Sequence, residues 1–271
     1  MYAFEIERPA SLADARDALA AGGQPLGGGQ TLIPTLKQRL ADPGTLVALS
    51  GIADMKGVRH EGGTVTLGGG TTHGEASKEL ESIAPGLAYL ASRIGDPAVR
   101  SRGTIGGSLA NNDPSACWPS AALALGATIV TDRREIGADE FFQGMFTTAL
   151  DEGEIVTAVR FPVPEKSAYA KMIQPASRFP LTAAFVAKTS DGARVAITGA
   201  SEGGVFRWTE AEQALSSDFS PDALKGMQPE GSMISDLHGS ADYRRHLCGV
   251  MTRRAAQCIL DGKPGMSSAD S

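Results

Sequence analysis

The sequence predicts an α+β fold in two parts, and three patterns lead to this prediction. Short apolar segments alternate with helix-like segments as far as residue 161. Two prolines and two charged residues then interrupt the chain between residues 162 and 166. Beyond them, strand-like segments precede one long amphipathic segment. Because a proline-rich stretch across which the pattern changes is typical of a domain boundary, we expect one domain over residues 1–162 and a second over 167–263.

The elements of the first domain follow from apolar periodicity and from turn residues. Alternation predicts a strand over residues 2–6, after which Ser11 can cap a helix that Gly22 and Gly23 end. The later elements are a helix over 35–40, strands over 46–49 and 64–67, helices near 72–81 and 87–93, an apolar stretch over 118–125, and strands over 127–131 and 155–161.

The second domain is predicted to be a sheet followed by a helix. Segments 168–173, 181–188 and 194–198 are typical of antiparallel strands. Ser240 can cap a long helix in which Tyr243, Leu247 and Val250 recur at three- and four-residue spacing. The polar tail over 264–271 is expected to be flexible.

Composition narrows the classes of function. With 271 residues, 42% apolar residues and a net charge of −6, the chain is neither disordered nor built to bind nucleic acid or anionic lipid. Three scattered cysteines are too few for a disulfide framework or an iron–sulfur site, which favours the cytoplasm. We expect no secretory signal, because residues 1–10 lack a basic segment followed by an apolar core. We expect no membrane-spanning segment, because no stretch of 18 apolar residues occurs.

The common catalytic signatures are absent from this sequence. It contains no P-loop, no G-x-G-x-x-G fingerprint, no H-E-x-x-H and no G-x-S-x-G. His73 is the only one of four histidines beside a glycine loop, and we interpret it as a structural or surface residue. We therefore predict neither a catalytic residue nor a metal ligand.

Two glycine-rich turns more than 70 residues apart remain, at residues 27–31 and 104–108. Glycine permits positive φ and close approach to a ligand, so successive N–H groups can converge on a phosphate. A chain of negative net charge would hold a diphosphate with such amides rather than with a broad basic surface. Both turns could instead be ordinary turns that pack strands against helices.

Four segments carry a resemblance to a known family. They are Gly-Gly-Gly-Gln-Thr-Leu-Ile-Pro at 27–34, Thr-Thr-His at 71–73, the segment 94–114 from Ile-Gly-Asp-Pro to Asn-Asn-Asp-Pro, and Glu-Ile-Val-Thr-Ala-Val-Arg-Phe-Pro at 154–162. In this order they resemble the FAD-binding medium subunit of the molybdenum hydroxylases, which include carbon monoxide dehydrogenase and xanthine dehydrogenase. The likeness spans nearly the whole chain.

The resemblance implies a fold like that of vanillyl-alcohol oxidase, the PCMH-type FAD-binding fold. Two α/β subdomains, at about 1–50 and 51–162, would hold FAD, and a C-terminal α+β domain like that of the carbon monoxide dehydrogenase flavoprotein would close over the ring. The residues it assigns to the cofactor are Leu26, Gly27, Gly28, Gly29, Gln30, Thr31, Leu32, Ile94, Thr104, Ile105, Gly106, Gly107, Ser108, Val156 and Lys171. Ile94 and Val156 would suit an ordinary core equally well.

Three further residues are assigned by their position in the family's motifs. Many relatives place an acid where this chain has Cys117, so either Asp113 and Asn111 accept the ribose hydroxyls in its place or the adenosine end of FAD is held less tightly. Cys117 could otherwise simply pack beside Trp118. Phe179 is expected to shield or gate the isoalloxazine, with core packing as the alternative.

The resemblance also implies partners and a flow of electrons. A large subunit would carry a molybdenum–pterin centre, a small subunit would carry [2Fe–2S] clusters, and FAD on this chain would pass electrons to NAD, a quinone or oxygen. No general acid or base of this chain would be required. A self-contained flavin oxidase or reductase of the same fold, and a non-redox nucleotide-binding scaffold, are the alternatives.

Overall fold

The structure is a computed structural model that describes residues 1–270. Three sheets, with helices packed against them, account for most of these residues. Short 3-10 helices lie at Leu49–Gly51, Ala53–Met55 and Pro221–Leu224. Among the described residues, no helix is both long and apolar enough to cross a bilayer.

The first fifty residues form a small parallel α/β unit. Its elements are β1 (Glu5–Glu7), α1 (Leu12–Ala20), β2 (Gln24–Leu26), α2 (Leu32–Lys37) and β3 (Thr45–Ala48). Both outer strands run parallel to the central β3. Ser11 caps α1 as predicted, since its side chain accepts from the amide of Asp14. The predicted helix over 35–40 begins earlier, because Pro34 lies in the first turn of α2, where its missing N–H costs no helical hydrogen bond.

The next 110 residues or so build an antiparallel sheet and six helices. The elements are β4 (Val58–Glu61), β5 (Thr64–Gly68), α3 (His73–Glu79), α4 (Pro85–Ser92), α5 (Pro97–Arg100), α6 (Ile105–Asn111), α7 (Trp118–Leu125), β6 (Thr128–Thr131), β7 (Glu135–Gly137), α8 (Ala138–Phe141), β8 (Phe142–Gly144), β9 (Thr147–Thr148) and β10 (Val156–Pro162). The strand order is β4-β5-β10-β6-β7, and β8 and β9 form a separate hairpin.

The remaining elements form a second five-stranded sheet and its helices. They are β11 (Lys166–Ile173), β12 (Pro180–Thr189), β13 (Gly192–Thr198), β14 (Phe206–Arg207), α9 (Thr209–Ser217), α10 (Ala241–Leu260) and β15 (Gly265–Ser267). The first eight residues of β12 are all buried, because α10 covers one face of the sheet and α7 packs against the other. The expected strands and the Ser240 cap of the long helix are present.

The prediction of a flexible tail is wrong for most of that segment. Residues of β15 pair in parallel with β11, and the amide of Ser267 donates to the carboxylate of Asp270. Arg93 of the loop after α4 forms an ion pair with Asp270 at 2.6 Å. The edge of β11 has unpaired backbone N–H and C=O groups, and a polar segment can form hydrogen bonds with them. This pairing could not be predicted from the tail, because its polar composition is that of a disordered segment. Ser271 lies outside the described residues.

One buried carboxylate closes the turn that leads into β10. Glu154 is 5% exposed and accepts hydrogen bonds from the Thr131 hydroxyl, the Arg134 guanidinium and the amide of Asp151. Burial alone would raise the pKa of Glu154, but these hydrogen bonds and the charge of Arg134 lower it to about 2.

Glu154→Gln should lower the free energy of unfolding by about 1–3 kcal/mol, since it leaves buried donors without an ionised acceptor. Because the pKa is depressed in the folded state, the contribution of Glu154 is complete above about pH 4.5 and is lost as pH falls towards 2. Urea unfolding at pH 7 and pH 3 measures both effects. A wild-type-minus-variant difference that is the same at the two pH values would contradict this role.

Candidate cofactor-binding site

A cavity of about 770 Å³ lies where the three parts of the fold meet. Its walls come from the loop between β2 and α2, from the segments around α3, α5 and α6, and from β11 with the loop that follows it. This volume is within the range of about 300–1,000 Å³ that is usual for ligand pockets.

The cavity brings together residues that are up to about 150 positions apart. The predicted site residues that line it are Leu26, Gly27, Gly28, Gly29, Gln30, Thr31, Leu32, Ile94, Thr104, Gly106, Gly107, Ser108, Asp113, Cys117, Val156, Lys171 and Phe179. Ile105 does not line it: its side chain is fully buried in the apolar core, and its amide donates to the carbonyl of Thr71. The predicted place of Ile105 in the wall is therefore wrong.

The first glycine loop supplies uncommitted backbone donors. Within residues 1–270, the amides of Gly28, Gly29, Gln30 and Thr31 have no hydrogen-bond acceptor. Gly29 has a φ of 71°, a conformation that favours glycine, and the loop runs directly into α2. Four successive free N–H groups at a cavity wall form a binding surface for an anion.

The first glycine motif packs against the backbone that immediately precedes the second motif. A Cβ added to Gly28 would lie 2.0 Å from the carbonyl oxygen of Arg102 and 2.6 Å from Cα of Gly103. A Cβ on Gly27 would lie 3.1 Å from Oγ1 of Thr104. A side chain at Gly28 would therefore separate the loops.

A third glycine run, at residues 68–70, packs against the second motif, and we call the three glycine runs together the cradle. A Cβ on Gly106 would lie 2.6 Å from the carbonyl oxygen of Gly69, and one on Gly69 would lie 2.1 Å from that of Val156. The amide of Gly106 donates to Gly69, and that of Gly69 donates to Thr157. Residues 68–70 were not predicted as part of the site, although the run of three glycines before Thr71 was visible in the sequence.

The second motif offers hydroxyls rather than free amides. The amides of residues 105–108 all donate within the protein, to Thr71, Gly69, Oγ1 of Thr104 and the Thr104 carbonyl, in that order. Thr104 is the N-cap residue of α6, and its Oγ1 accepts the hydrogen bond from the amide of Gly107. This helix was not predicted, because Gly106 and Gly107 have low helix propensity. The expectation that amides of this motif grip an anion is thus wrong. The hydroxyls of Thr104 and Ser108 remain as donors at the wall.

A buried ammonium lies at the other side of the cavity. Lys171 is 2% exposed, and its Nζ donates to the carbonyl of Arg93 at 2.7 Å and contacts Sγ of Cys117 at 3.7 Å. No ion pair within residues 1–270 involves Lys171. A buried cation without a carboxylate partner favours an anionic or strongly polar ligand in the adjoining space.

Asp113 is the carboxylate that faces the same region. It accepts from the amide of Ser115, and the loop that carries it is tied to β13, because Gly199 and Thr198 both donate to Pro114. Burial raises the pKa of Asp113, and the hydrogen bond from Ser115 partly offsets this effect. It forms no ion pair among the described residues, so its remaining lone pairs are available to hydroxyl donors.

Phe179 is 47% exposed on the cavity wall, so the core-packing alternative is wrong. It follows Arg178, which has a φ of 63° and also lines the cavity. Such a φ is uncommon for arginine. Ile94 is half-buried and Val156 almost fully buried, so both combine core packing with a position on the wall.

The charge of the cavity differs from that of the whole chain. Its lining contains Lys56, Arg102, Lys171 and Arg178 against Glu75, Asp113 and Glu154, although the chain carries a net charge of −6. Glu75 is engaged in the capping box of α3, and Glu154 is paired with Arg134. The charges left for a ligand are therefore mainly positive. No group of three metal-ligating side chains occurs among residues 1–270.

Comparisons with known proteins agree with this geometry. The family model for the FAD binding domain in molybdopterin dehydrogenase matches residues 2–164. The carbon monoxide dehydrogenase medium chain of Afipia carboxidovorans is 34% identical over 94% of this chain and 96% of its own. The nicotine 6-hydroxylase medium subunit of Paenarthrobacter nicotinovorans is 34% identical over 93% and 95%. The reconstituted CO dehydrogenase from Oligotropha carboxidovorans superposes with a TM-score of 0.86 at 32% identity, over 96% of this chain and 98% of that one.

The fold and the cavity define the flavin-carrying subunit of an oxidoreductase. The chain belongs to the family of FAD binding domains in molybdopterin dehydrogenases, as a medium subunit of the molybdenum hydroxylase type. The predicted fold class is thereby confirmed. The cavity also fits FAD chemically, since free backbone amides lie on one wall and the ammonium of Lys171, which has no carboxylate partner, lies on another.

Gly106→Ala should weaken FAD binding at least tenfold and lower the melting temperature. The added methyl would meet the backbone of Gly69 rather than the ligand, so the cradle opens and about 1–3 kcal/mol of stability is lost. Gly137→Ala is the matched control, because nothing lies within 4 Å of its Cβ position. Full FAD content in the Gly106 variant, measured by absorbance after gel filtration, would contradict the cradle.

Cys117→Asp should raise the melting temperature of the FAD-free protein by about 3 °C, because it places a carboxylate beside the buried ammonium of Lys171. Cys117→Asn, of the same shape and uncharged, is the control. Calorimetry that finds the Asp variant no more stable than the Asn variant would show that Lys171 needs no counter-charge there.

Proposed function

We propose that this chain binds FAD in the cavity, accepts electrons from [2Fe–2S] clusters on a small partner subunit and passes them to an external acceptor. The observation that carries this proposal is the single cavity lined by both glycine motifs, Lys171 and Phe179. FAD, when bound, supplies exchange between one-electron and two-electron carriers, and the protein supplies position and electrostatics.

The diphosphate is assigned to the wall between the glycine motifs. The free amides of residues 28–31 donate to it from one side, and the hydroxyls of Thr104 and Ser108 donate from the other. Gly27, Gly106 and Gly107 keep the backbone accessible, while Leu26 and Leu32 cover the loop ends. This arrangement suits a chain of negative net charge, because the oriented dipoles of backbone N–H groups, rather than cationic side chains, bind the anion.

The adenosine half is assigned to the wall that Asp113 and Lys171 share. Asp113 accepts from ribose hydroxyls, since its carboxylate is unpaired and partly desolvated. The ammonium of Lys171 donates to an oxygen of the cofactor in addition to the Arg93 carbonyl. Cys117 is a weak acceptor beside them, and Ile94 and Val156 contribute apolar contact.

Phe179 is assigned to the isoalloxazine ring. It lies on the loop between β11 and β12, and its half-exposed ring can cover a flat ligand while leaving an edge open to partners. Arg178 beside it faces the same opening. A half-open ring suits a carrier that must exchange electrons with another protein.

The source of electrons is assigned to other chains. All three cysteines of this chain are buried and separate, and an iron–sulfur cluster needs a set of thiolates in one place. The relatives are named as medium chains or subunits, which supports a large molybdenum–pterin subunit and a small iron–sulfur subunit. NAD, a quinone or oxygen is the acceptor, and the free thiols favour a cytoplasmic site of action.

The experiment is to purify the full chain with and without co-expressed partners, titrate FAD and record the visible spectrum. We expect one FAD per chain, and flavin bleaching by an organic substrate only when the two other subunits are present. Bleaching by the lone chain would mean a self-contained oxidase or reductase. Absence of bound FAD would leave a nucleotide-binding scaffold.

A further inference from the structure

His73 is buried at the cavity, next to Gly103 and the second glycine motif. It is the first residue of α3, it is 5% exposed, and it is one of the residues that line the cavity. Its backbone amide donates to the carbonyl of Gly103 at 2.9 Å, which fixes the start of the helix against the second glycine motif. This hydrogen bond fixes the backbone of His73 next to the glycine motifs.

One nitrogen of the imidazole is committed to the core. Nε1 of Trp118 donates to Nδ1 of His73 at 3.1 Å, and Trp118 is fully buried. Because indole is a donor only, Nδ1 must accept, and the ring hydrogen is on Nε2. Burial, together with the charge of Arg100, lowers the pKa of His73 to about 4, so the ring is neutral at physiological pH.

The other nitrogen has no partner within the protein. Among residues 1–270, Nε2 has no hydrogen-bond acceptor, and it is not one of the fully enclosed polar atoms. A Cβ on Gly103 would lie 2.8 Å from Nε2, so glycine at this position leaves the nitrogen uncovered. A rigidly oriented donor that meets a cavity without an acceptor points to a ligand atom.

We propose that His73 is a cofactor-binding residue whose neutral Nε2–H donates to a phosphate oxygen of FAD. This inference rests on the proposed function and adds a donor at a residue that the sequence alone predicts to be structural or on the surface. The phosphate is the part of the ligand in question because Gly103, which the imidazole faces, is packed against Gly28 in the loop of free amides. Trp118 serves as the positioning residue, since its indole sets the orientation of the ring.

A matched pair of variants separates ligand binding from core packing. In His73→Asn, the amide oxygen can replace Nδ1 as the acceptor for Trp118, but no donor reaches the place of Nε2. In His73→Gln, the amide nitrogen reaches that place, but the acceptor for Trp118 is lost. Gly103→Ala provides a third test, because its methyl would lie 2.8 Å from Nε2 and would push the imidazole away from its place beside Gly103.

The measurement is the dissociation constant for FAD, and separately for ADP and adenosine, by fluorescence and calorimetric titration of the full chain at pH 7.5. We expect His73→Asn and Gly103→Ala to weaken FAD and ADP about tenfold and adenosine by less than twofold. His73→Gln should remain within about threefold of wild type for FAD, although it melts at a lower temperature than His73→Asn.

Equal FAD affinity in wild type and His73→Asn would overturn the inference, as would weaker binding in His73→Gln than in His73→Asn. If His73→Asn does not fold, Gly103→Ala decides by the same criterion. A wild-type chain that takes up no FAD would refute the proposed function instead, so the two failures are distinct.

Discussion

Contact between backbone segments at three glycine runs is the constraint on which the site depends. Gly28 approaches Arg102 and Gly103, and Gly106 approaches Gly69, at distances that leave no room for a Cβ. These contacts join the first parallel sheet to the helices around the second sheet. Without them the free amides and the hydroxyls would belong to separate surfaces, and no cavity of the observed shape would form between them.

The electrostatic arrangement follows from the same constraint. Because α6 uses the amides of the second motif for its own cap and for the contact with Gly69, the donors to an anion are divided between two sources. One wall offers main-chain N–H groups, and the other offers hydroxyls and the ammonium of Lys171. A protein of negative net charge can thus bind a dinucleotide without a broad basic surface.

Much of the fold could be predicted from local patterns. The N-cap residues Ser11 and Ser240 and the alternating strands were readable because capping and burial periodicity act over a few residues. The helix α6 was not readable, since Gly106 and Gly107 have poor helix propensity and are present for a long-range contact. The pairing of β15 with β11 was equally hidden, because it depends on a strand edge almost 100 residues away.

The site could be predicted as a set of residues but not as an arrangement. Resemblance identified the loops, and the structure brings all but Ile105 to one cavity. The resemblance could not indicate which backbone amides already donate hydrogen bonds within the protein, nor that Trp118 orients His73. Both depend on packing between distant segments. The isolated Thr-Thr-His triplet was the only signal, and it was compatible with a surface residue.

A crystal structure of the chain soaked or co-crystallised with FAD tests the central claim most directly. We predict that the diphosphate lies against the amides of residues 28–31, with the hydroxyl of Thr104 on its other side and the flavin ring beside Phe179. FAD bound elsewhere, or a diphosphate in solvent with those amides unoccupied, would contradict it.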